Sequence, residues 1–352
     1  MIFEKSKDNR NLMIDLRSDT VTKPSLEMRK AMVNAEVGDD VYGEDPTANK
    51  LQKYCAKLFQ KEAALFVSSG VMGNQLCLNA LTQPGDEVIC DKNAHIFQYE
   101  SGSPAKLSGL SMNLLNGENG ILFPEQVEQA IRPTTAYYMP HSKVIEIENT
   151  HNVAGGVVYP IENIKALKIL ADKYKLKMHL DGARLWNASV ASGISVAEYS
   201  SYFDTVSVCL SKGLGAPIGS VILGEKQMIE KAFRMRKAWG GGMRQIGIIA
   251  AAGLYAIENN YERLTIDHKN AKILANYLSQ IDGMDVNLDL VQTNMLMFKP
   301  IKMTVNEVIS KAKDKGLLLG PGGFGVVRAV THLDITSDDI ENAFDILRKI
   351  FS

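Results

Sequence analysis

The segment AALFVSSGVMGNQLCLNALTQPG, residues 63–85, indicates the fold class of this chain. Its small and apolar start, Ala63–Val67, predicts a strand, and residues 71–81 predict a helix that Gln83-Pro84-Gly85 ends. The alternation continues, with strands predicted at residues 87–90, 144–148, 176–180, 205–210 and 220–223 and a helix at Ile161–Tyr174. Such a pattern predicts an α/β protein whose large domain has a mainly parallel sheet between helices.

The pattern changes near residue 265. Helices are predicted at residues 269–281, 305–315 and 337–350, and strand-like runs at residues 284–298 and 326–330. Residues 258–266 are helical and polar rather than rich in proline and glycine, so they do not form an obvious linker. We therefore expect residues 1–265 to hold an N-terminal segment and the large domain, and residues 266–352 to form a small C-terminal α+β domain.

Composition and charge exclude several classes of protein. The 352 residues carry 39 basic and 40 acidic side chains, a net charge of −1 that argues against electrostatic binding to nucleic acid or to anionic membranes. The longest stretch without a charge, residues 63–85, contains too many polar residues and a proline to span a membrane. The N-terminal MIFEKSKDNRNL lacks the apolar core of a signal peptide.

The four cysteines, Cys55, Cys77, Cys90 and Cys209, form no CxxC pair and lie in apolar surroundings. Reduced, buried thiols in a cytoplasmic protein are the favoured interpretation, and disulfide bonds are the alternative. No metal site is predicted.

Lys212 is the first candidate for chemistry. It follows the predicted strand at 205–210 and precedes a glycine-rich loop, and its neighbours are apolar or small. Most lysines are solvated surface residues. A lysine removed from water can instead act as an amine nucleophile toward a carbonyl group, for which pyridoxal phosphate is a common partner. Asp181 also follows a strand; it is either a helix N-cap or a carboxylate that keeps the pyridine nitrogen of such a cofactor protonated.

Other candidates follow strands of the same predicted sheet, where ligands bind beyond the carboxyl ends. Ser69 and Gly70 form either an ordinary strand–helix turn or a phosphate site at a helix N-terminus. His95 and His151 are either structural hydrogen-bonding residues or groups that stack on a cofactor or act as a general base. Arg328 lies in an apolar run in the C-terminal part. It either forms a structural ion pair or binds a substrate carboxylate through two hydrogen bonds.

Seven blocks together closely resemble the low-specificity L-threonine aldolases, which are fold-type I pyridoxal-phosphate enzymes. They are DLRSDTVTKPS (15–25), VGDDVYGEDPT (37–47), IENTHNVAGG (147–156), HLDGARLWNA (179–188), LSKGLGAPIGS (210–220), WGGGMRQ (239–245) and VRAVTHLDIT (327–336). The resemblance extends from about residue 14 to the C-terminus, with the blocks in the family's order. It implies the seven-stranded, mainly parallel sheet of the pyridoxal-phosphate-dependent transferases. The first dozen residues are predicted to be an unrelated extension.

The resemblance implies roles at the cofactor. Lys212 would form the Schiff base with pyridoxal 5′-phosphate, Asp181 would pair with the pyridine nitrogen, and Arg184 would contact the phenolic oxygen. His95 would stack on the ring, and Ser69 and Gly70 would hold the phosphate.

The resemblance also implies roles at the substrate. Ser18 and Arg328 would bind the carboxylate, and His151, with His95, would lie near the hydroxyl group. Tyr42, Lys237 and Arg244 resemble residues that a neighbouring subunit contributes, with Tyr42 also at the substrate. A homodimer is therefore the minimum expected, and a homotetramer is usual in the family.

The phosphate turn departs from the family pattern. The family usually has Ser-Gly-Thr, whereas this chain has Ser69-Gly70-Val71, so one hydroxyl donor is missing. Backbone N–H groups should still hold the phosphate, with a lower affinity for the cofactor. Ser68 also stands where proline is common.

The expected reaction is the retro-aldol cleavage of L-threonine, L-allo-threonine or a related β-hydroxy-α-amino acid to glycine and an aldehyde. The alternatives that keep the cofactor are β-elimination, racemisation and transamination. A non-catalytic cofactor-binding protein is another alternative, as is a nicotinamide-dependent dehydrogenase, which the absence of GxGxxG after the first strand disfavours.

Overall fold

A computed structural model describes residues 13–352. The predicted N-terminal extension lies outside the described residues. The strands are β1 (Ile14–Asp15), β2 (Ala63–Val67), β3 (Asp86–Asp91), β4 (Ser111–Leu115), β5 (His141–Glu148), β6 (Lys177–Gly182), β7 (Thr205–Cys209), β8 (Ser220–Gly224), β9 (Met284–Asp285), β10 (Met295–Pro300), β11 (Leu317–Leu318), β12 (Gly320–Gly323) and β13 (Val326–Val330).

The α-helices are α1 (Leu26–Val33), α2 (Pro46–Leu58), α3 (Gly70–Leu81), α4 (His95–Gln98), α5 (Ser103–Ser108), α6 (Pro124–Ala130), α7 (Ile161–Tyr174), α8 (Leu185–Ser192), α9 (Val196–Ser201), α10 (Lys226–Ala238), α11 (Gly247–Asn260), α12 (Leu264–Leu278), α13 (Val305–Asp314) and α14 (Ser337–Phe351). Short 3-10 helices lie at Asp19–Val21, Asp40–Tyr42 and Leu288–Leu290. Within the described residues, no helix has both the length and the apolar character needed to cross a membrane.

The large sheet has seven strands in the order β2-β8-β7-β6-β5-β3-β4. Strand β8 runs antiparallel to both β2 and β7, and the other neighbouring pairs are parallel. The predicted α/β fold with a mainly parallel sheet is therefore confirmed. Strands β3, β5, β6 and β7 run in the same direction, so their carboxyl ends meet at one edge, where the segments after them form the candidate site.

A smaller antiparallel sheet lies in the C-terminal part, in the order β12-β13-β10-β9. Its apolar face packs with α12, α13 and α14 in a second hydrophobic core, which includes Leu296, Val327 and Leu347. Ile14 and Leu16 belong to this core too, because β1 pairs with β11 rather than with the large sheet. The division at residues 265 and 266 stays a prediction; α12 runs across it, with Leu264 in the large core and Leu274 in the small one.

Most predicted elements lie within a few residues of the observed ones, and several observed elements were not predicted. Strand β4 is one of these; its side chains are mostly half-buried, and its alternation of polar and apolar residues covers only residues 111–114. The strand-like run at 284–298 is interrupted by the 3-10 helix Leu288–Leu290, which Asn287 caps. The helix predicted to begin at residue 269 begins at Leu264, because α12 starts beside the end of α11 with no side-chain cap to mark it.

Candidate active site

A cavity of about 310 Å³ lies at the carboxyl edge of the large sheet, where the C-terminal sheet faces it. Five predicted site residues line it: Ser18, His95, Arg184, Lys212 and Arg328. Its wall also includes Thr20, Tyr99, Glu148, Asn152 and Met297. The fold therefore brings together residues that lie up to three hundred positions apart in the sequence.

Lys212 is half-buried at the cavity, three residues after the buried end of β7. The backbone turns directly behind it, because the Gly215 N–H donates to the Lys212 carbonyl over 2.8 Å. Gly215 has a φ of +77°, and an added Cβ would approach the Leu333 side chain to 2.9 Å. Glycine is therefore needed here, and the tight turn fixes the backbone that presents the lysine.

Arg184 is held by a carboxylate that the sequence did not reveal as part of the site. Its Nε and Nη2 donate to the two oxygens of Asp19 over 2.8 and 2.7 Å, a bidentate pair. Burial raises the pKa of the Asp19 carboxyl, but Arg184 and then Lys212 outweigh it and lower that pKa to about 2. Asp19 thus stays ionised and fixes the guanidinium beside the cavity.

Asp181 ends β6 below the cavity and is held by a buried network. Its Oδ2 accepts the Asn74 amide N–H over 2.7 Å, and its Oδ1 accepts the Ala183 N–H over 3.0 Å. The same Asn74 nitrogen donates to Glu100 over 2.8 Å. His179 lies 3.3 Å from the Asn74 carbonyl oxygen, and burial lowers its pKa to about 4, so its ring is neutral and Nε2–H donates. Asn74 therefore bridges two buried carboxylates.

His95 begins α4, just after β3, and its ring reaches the cavity. Its Nδ1 lies 2.9 Å from the Glu100 carboxylate. Burial lowers the pKa of His95, but Glu100, with Asp181 and Glu148, raises it above its ordinary value. One ligand atom from each of His95, Glu100 and Asp181 lies within 4.8 Å of the others, and hydrogen bonds already join these residues through Glu100 and Asn74.

His151 lies behind the cavity wall rather than on it. Only 2% of the residue is exposed, and its Nε2 lies 3.3 Å from Asp91 and 3.9 Å from Glu148. Burial lowers the pKa of His151, and the carboxylates of Glu148 and Asp91 outweigh it and raise that pKa. The cavity wall in front of it is formed by Glu148 and Asn152. The predicted role of His151 near the substrate hydroxyl stays a prediction.

Arg328 lines the cavity without a carboxylate partner among the described residues. Its Nη1 donates to the Asn152 side chain and its Nη2 to the Arg17 carbonyl, over 3.3 and 3.2 Å, so neither bond is to a carboxylate. Its Nε is buried and has no hydrogen-bond partner among the described residues. Because a buried guanidinium needs an acceptor, this corner of the cavity is suited to an anion. Ser18 lines the same cavity, and its hydroxyl oxygen accepts the Thr20 N–H over 3.2 Å.

Ser69 and Gly70 form the turn from β2 into α3. The Ser69 hydroxyl accepts the Met72 N–H over 3.2 Å and so caps the helix. An added Cβ on Gly70 would lie 2.8 Å from the Cys209 sulfur, so this helix end packs directly on the end of β7. The turn does not belong to the wall of the 310 Å³ cavity. It lies close to the segment that leads to Lys212 and offers N–H groups to an anion.

Comparison with known proteins shows the family to which this chain belongs. The family model described as "Beta-eliminating lyase" matches residues 15–300. Low-specificity L-threonine aldolase 1 of Arabidopsis thaliana is 44% identical over 333 residues, 93% of each chain. The low specificity L-threonine aldolase of Escherichia coli K12 is 41% identical, over 93% of this chain and 96% of that protein. This chain belongs to the beta-eliminating lyase family, among the low-specificity L-threonine aldolases.

The fold of the family is also found among solved structures. The threonine aldolase of Leishmania major has a TM-score of 0.82 at 19% identity, covering 96% of this chain and all 100% of that chain. A putative L-allo-threonine aldolase from Listeria monocytogenes has a TM-score of 0.78 at 20% identity, covering 96% of both chains. At this identity the likeness establishes the fold alone.

Three residues that the family resemblance assigned to a neighbouring subunit lie outside the cavity. Tyr42 is 74% exposed, and Lys237 and Arg244 are also exposed. They form one surface, because the Asp40 N–H donates to the Arg244 carbonyl and Gly242 packs against the Lys237 side chain. Arg244 bonds to Asp39 over 2.8 Å. Within one subunit, these residues do not meet Lys212.

Three residues at or beside the cavity were not predicted from the sequence: Asp19, Glu148 and Asn152. All three lie inside blocks that carry the family resemblance. Asp19 and Asn152 are each next to a predicted site residue, and Glu148 is three residues before His151. That position in the blocks was the available signal. Their partners are far away in the sequence, so only the fold identifies the contacts.

The four cysteines are buried, unpaired thiols, as predicted. Burial raises the pKa of Cys55 to about 12. Burial also raises the pKa of Cys77 and Cys90, so the thiols of Cys55, Cys77 and Cys90 stay protonated at neutral pH.

Proposed function

We infer that this protein is a pyridoxal-phosphate-dependent aldolase that cleaves L-threonine, L-allo-threonine and related β-hydroxy-α-amino acids to glycine and an aldehyde. The observation that carries this inference is identity of 44% and 41% along 93% of the chain to proteins named low-specificity L-threonine aldolases. It is supported by a cavity that contains both a lysine amine and an arginine without a carboxylate partner.

The donor set fits pyridoxal phosphate. Lys212 supplies the amine, and Asp181 is a buried carboxylate suited to a protonated pyridine nitrogen. The start of α3 at Ser69 and Gly70 offers N–H groups for the phosphate, and Arg184 supplies a fixed guanidinium for the phenolic oxygen. When bound, the cofactor supplies an electron sink for the pair released when a bond to Cα breaks.

The chain's own residues choose which bond breaks. We propose that Arg328 and Ser18 hold the substrate carboxylate, because the Nε of Arg328 is buried without a partner. Fixing the carboxylate orients the Cα–Cβ bond, and orientation of this kind accounts for a large part of an enzymatic rate enhancement. His95 is proposed to stack on the cofactor and to approach the hydroxyl group. His151 would act on the substrate only indirectly, through Glu148, because Glu148 lines the cavity and His151 does not.

We propose that the active unit is at least a homodimer, with a homotetramer as the expected assembly. Tyr42, Lys237 and Arg244 would complete the cavity of the adjacent subunit, with Tyr42 touching the substrate. Their exposure and their grouping on one surface support this proposal. The cytoplasm is the proposed compartment, on the basis of the four reduced thiols.

A product assay tests the proposed activity. Purified protein supplied with pyridoxal phosphate and L-threonine is expected to form glycine and acetaldehyde in equal amounts. The rival activity is β-elimination, favoured by the description of the matching family model. It would give 2-oxobutyrate and ammonia, and these as sole products would refute the aldolase assignment. Racemisation at Cα would convert L-threonine to D-allo-threonine without aldehyde.

A further inference from the structure

Glu148 is a cavity carboxylate to which neither the sequence analysis nor the family resemblance assigned a role. It ends β5, lines the cavity, and is 4% exposed. Its Oε2 accepts the His95 backbone N–H and its Oε1 accepts the Asn152 backbone N–H, each over 2.9 Å. His95 and Asn152 line the cavity too. Two N–H donors from two different turns therefore fix this carboxylate at the wall, and each oxygen keeps a second lone pair.

His151 lies directly behind this carboxylate. Its Nδ1 accepts the Ala154 N–H over 3.2 Å, so the ring hydrogen is on Nε2. That Nε2 is 3.9 Å from Glu148 Oε2 and 3.3 Å from Asp91 Oδ1, and it has no hydrogen bond of good geometry among the described residues. An added Cβ on Gly120 would lie 2.3 Å from the ring, so the ring is tightly packed from that side. The N–H is thus held between two carboxylates and fully satisfied by neither.

The charged groups around Glu148 come from every segment that packs against it. The cation that follows β6 is Arg184. His95, which follows β3, and His151, which follows β5, are also cations when they are protonated. Glu146 on the same strand and Cys90 on β3 also face it, as do the carboxylates of Asp91, Glu100 and Asp181. Of these five carboxylates, Glu148 alone lines the cavity.

We propose that Glu148 is the catalytic base that takes the proton from the β-hydroxyl group of the substrate, an inference that rests on the proposed aldolase function. The O–H bond breaks and its proton goes to a Glu148 oxygen. The O–H electron pair forms the second bond of the aldehyde C=O, and the Cα–Cβ bond breaks with its pair left on Cα. Cα then takes up one proton to complete glycine, so Glu148 releases one proton per turnover and the reaction is balanced.

His151 becomes a positioning residue in this arrangement. Its Nε2–H lies 3.9 Å from Glu148 Oε2 and helps to hold that side chain in place at the cavity wall. Its predicted involvement with the hydroxyl group is then indirect, which agrees with a ring that is only 2% exposed. A general base must be within hydrogen-bond reach of the proton it removes, and Glu148 meets that requirement better because it forms the wall.

The test compares E148Q with the matched control E146Q. Glu146 is a buried carboxyl two residues earlier on the same strand, its oxygens have no partner among the described residues, and it does not line the cavity. We expect E148Q to lower kcat for threonine cleavage at least about 100-fold. Exchange of the glycine α-proton, which involves no hydroxyl group, should change less than about fivefold in both variants. Wild-type rates for threonine cleavage in E148Q would overturn the proposal, as would an equal loss in E146Q.

A readout independent of turnover uses the apoprotein. Because Glu148 raises the pKa of His151, E148Q should lower that pKa by roughly half a unit or more in an NMR titration, whereas E146Q should change it less. An unchanged His151 titration in E148Q would contradict the geometry.

If E148Q does not fold, the wild-type enzyme decides. Its pH profile for threonine cleavage should contain an ionisation that is absent from the profile for glycine α-proton exchange, and coincident profiles would overturn the proposal. Failure of the aldolase assignment is recognised separately, because the wild-type enzyme would then form no acetaldehyde from threonine.

Discussion

Two groups of proposed site residues differ in how the chain holds them. Asp181 and Arg184 are buried, and hydrogen bonds to residues of the same chain fix them. Tyr42, Lys237 and Arg244 lie on the surface, where Tyr42 is 74% exposed. Buried partners thus fix the first group, whereas the second lies at the surface, where Arg244 bonds to Asp39. Under the proposed assembly, one subunit supplies the proposed cofactor site and a neighbouring subunit supplies part of the proposed substrate site.

The largest expected effect is the loss of Lys212. In Lys212→Ala, turnover should fall by more than about a thousandfold, because no other amine replaces the covalent anchor in the cavity. The near-ultraviolet and visible absorption of the anchored cofactor should disappear as well. The control is Lys226→Ala, which removes a lysine that is 77% exposed on α10. Full activity in Lys212→Ala would contradict the proposal that Lys212, Asp181 and Arg184 form the cofactor site.

The next effect tests the buried group through its stability. In Asp19→Asn the Arg184 guanidinium loses its charged partner, which should lower the unfolding free energy by about 3–5 kcal/mol at neutral pH. Because the pKa of Asp19 is lowered from 3.8 to about 2, its ionisation stabilises the folded state above pH 4, and this is lost as pH falls toward 2. The ionisation of Asp19 contributes about 2 kcal/mol to the unfolding free energy. The difference between wild type and variant should therefore shrink on acidification.

Urea denaturation at several pH values between 5 and 3 measures this difference. The matched control is Asp345→Asn, which breaks an Asp–Arg pair whose side chains are 50% and 59% exposed. It should change stability by less than about 1 kcal/mol at every pH. A pH-independent difference for Asp19→Asn would mean that the pair is not ionised as described.

The exposed group is tested by complementation between subunits. Arg244→Ala alone should reduce turnover by about tenfold, a smaller loss because one charged contact is removed while the cofactor site is intact. Mixed oligomers that combine Arg244→Ala and Lys212→Ala subunits should recover activity, because some sites then take both wild-type residues from different chains. No gain over the separately assayed variants would show that Arg244 does not act across an interface.

The smallest expected effect concerns the phosphate turn. Val71→Thr restores a hydroxyl donor beside Ser69 and Gly70, and one added hydrogen bond to a charged group should improve cofactor affinity by about two- to tenfold. The measurement is a titration of the apoprotein with pyridoxal phosphate. Val71→Ala, which adds no donor, is the control and should not gain affinity. Equal affinities for all three proteins would mean that the backbone N–H groups suffice.

Sequence could predict the part of the site that depends on local pattern. Lys212, Asp181 and His95 each follow a predicted strand, and parallel strands place such positions at one edge. Arg328 was predicted from its position in an apolar run, and the resemblance added Ser18; both line the same cavity. What remained hidden was the pairing between distant residues. Asp19 and Arg184 are separated by 165 positions, and no periodicity in either segment indicates that they meet.

The limits of fold prediction have the same physical origin. Strand β4 is at the edge of the large sheet and mostly half-buried, and its alternating pattern is too short to predict it. Strand β1 is two residues long and is formed only because β11, three hundred residues later, is beside it. Elements stabilised by their own amphipathic pattern, such as α7, were predicted with the observed bounds.

Reductive trapping tests the central claim most directly. The protein is incubated with pyridoxal phosphate, treated with borohydride to fix the cofactor onto the amine that carries it, digested, and mapped by mass spectrometry. We predict the modification on Lys212, at one site per chain, and its absence when the substrate amino acid is added before reduction. Modification of Lys237 or of scattered surface lysines, with Lys212 unmodified, would contradict the account of the cavity.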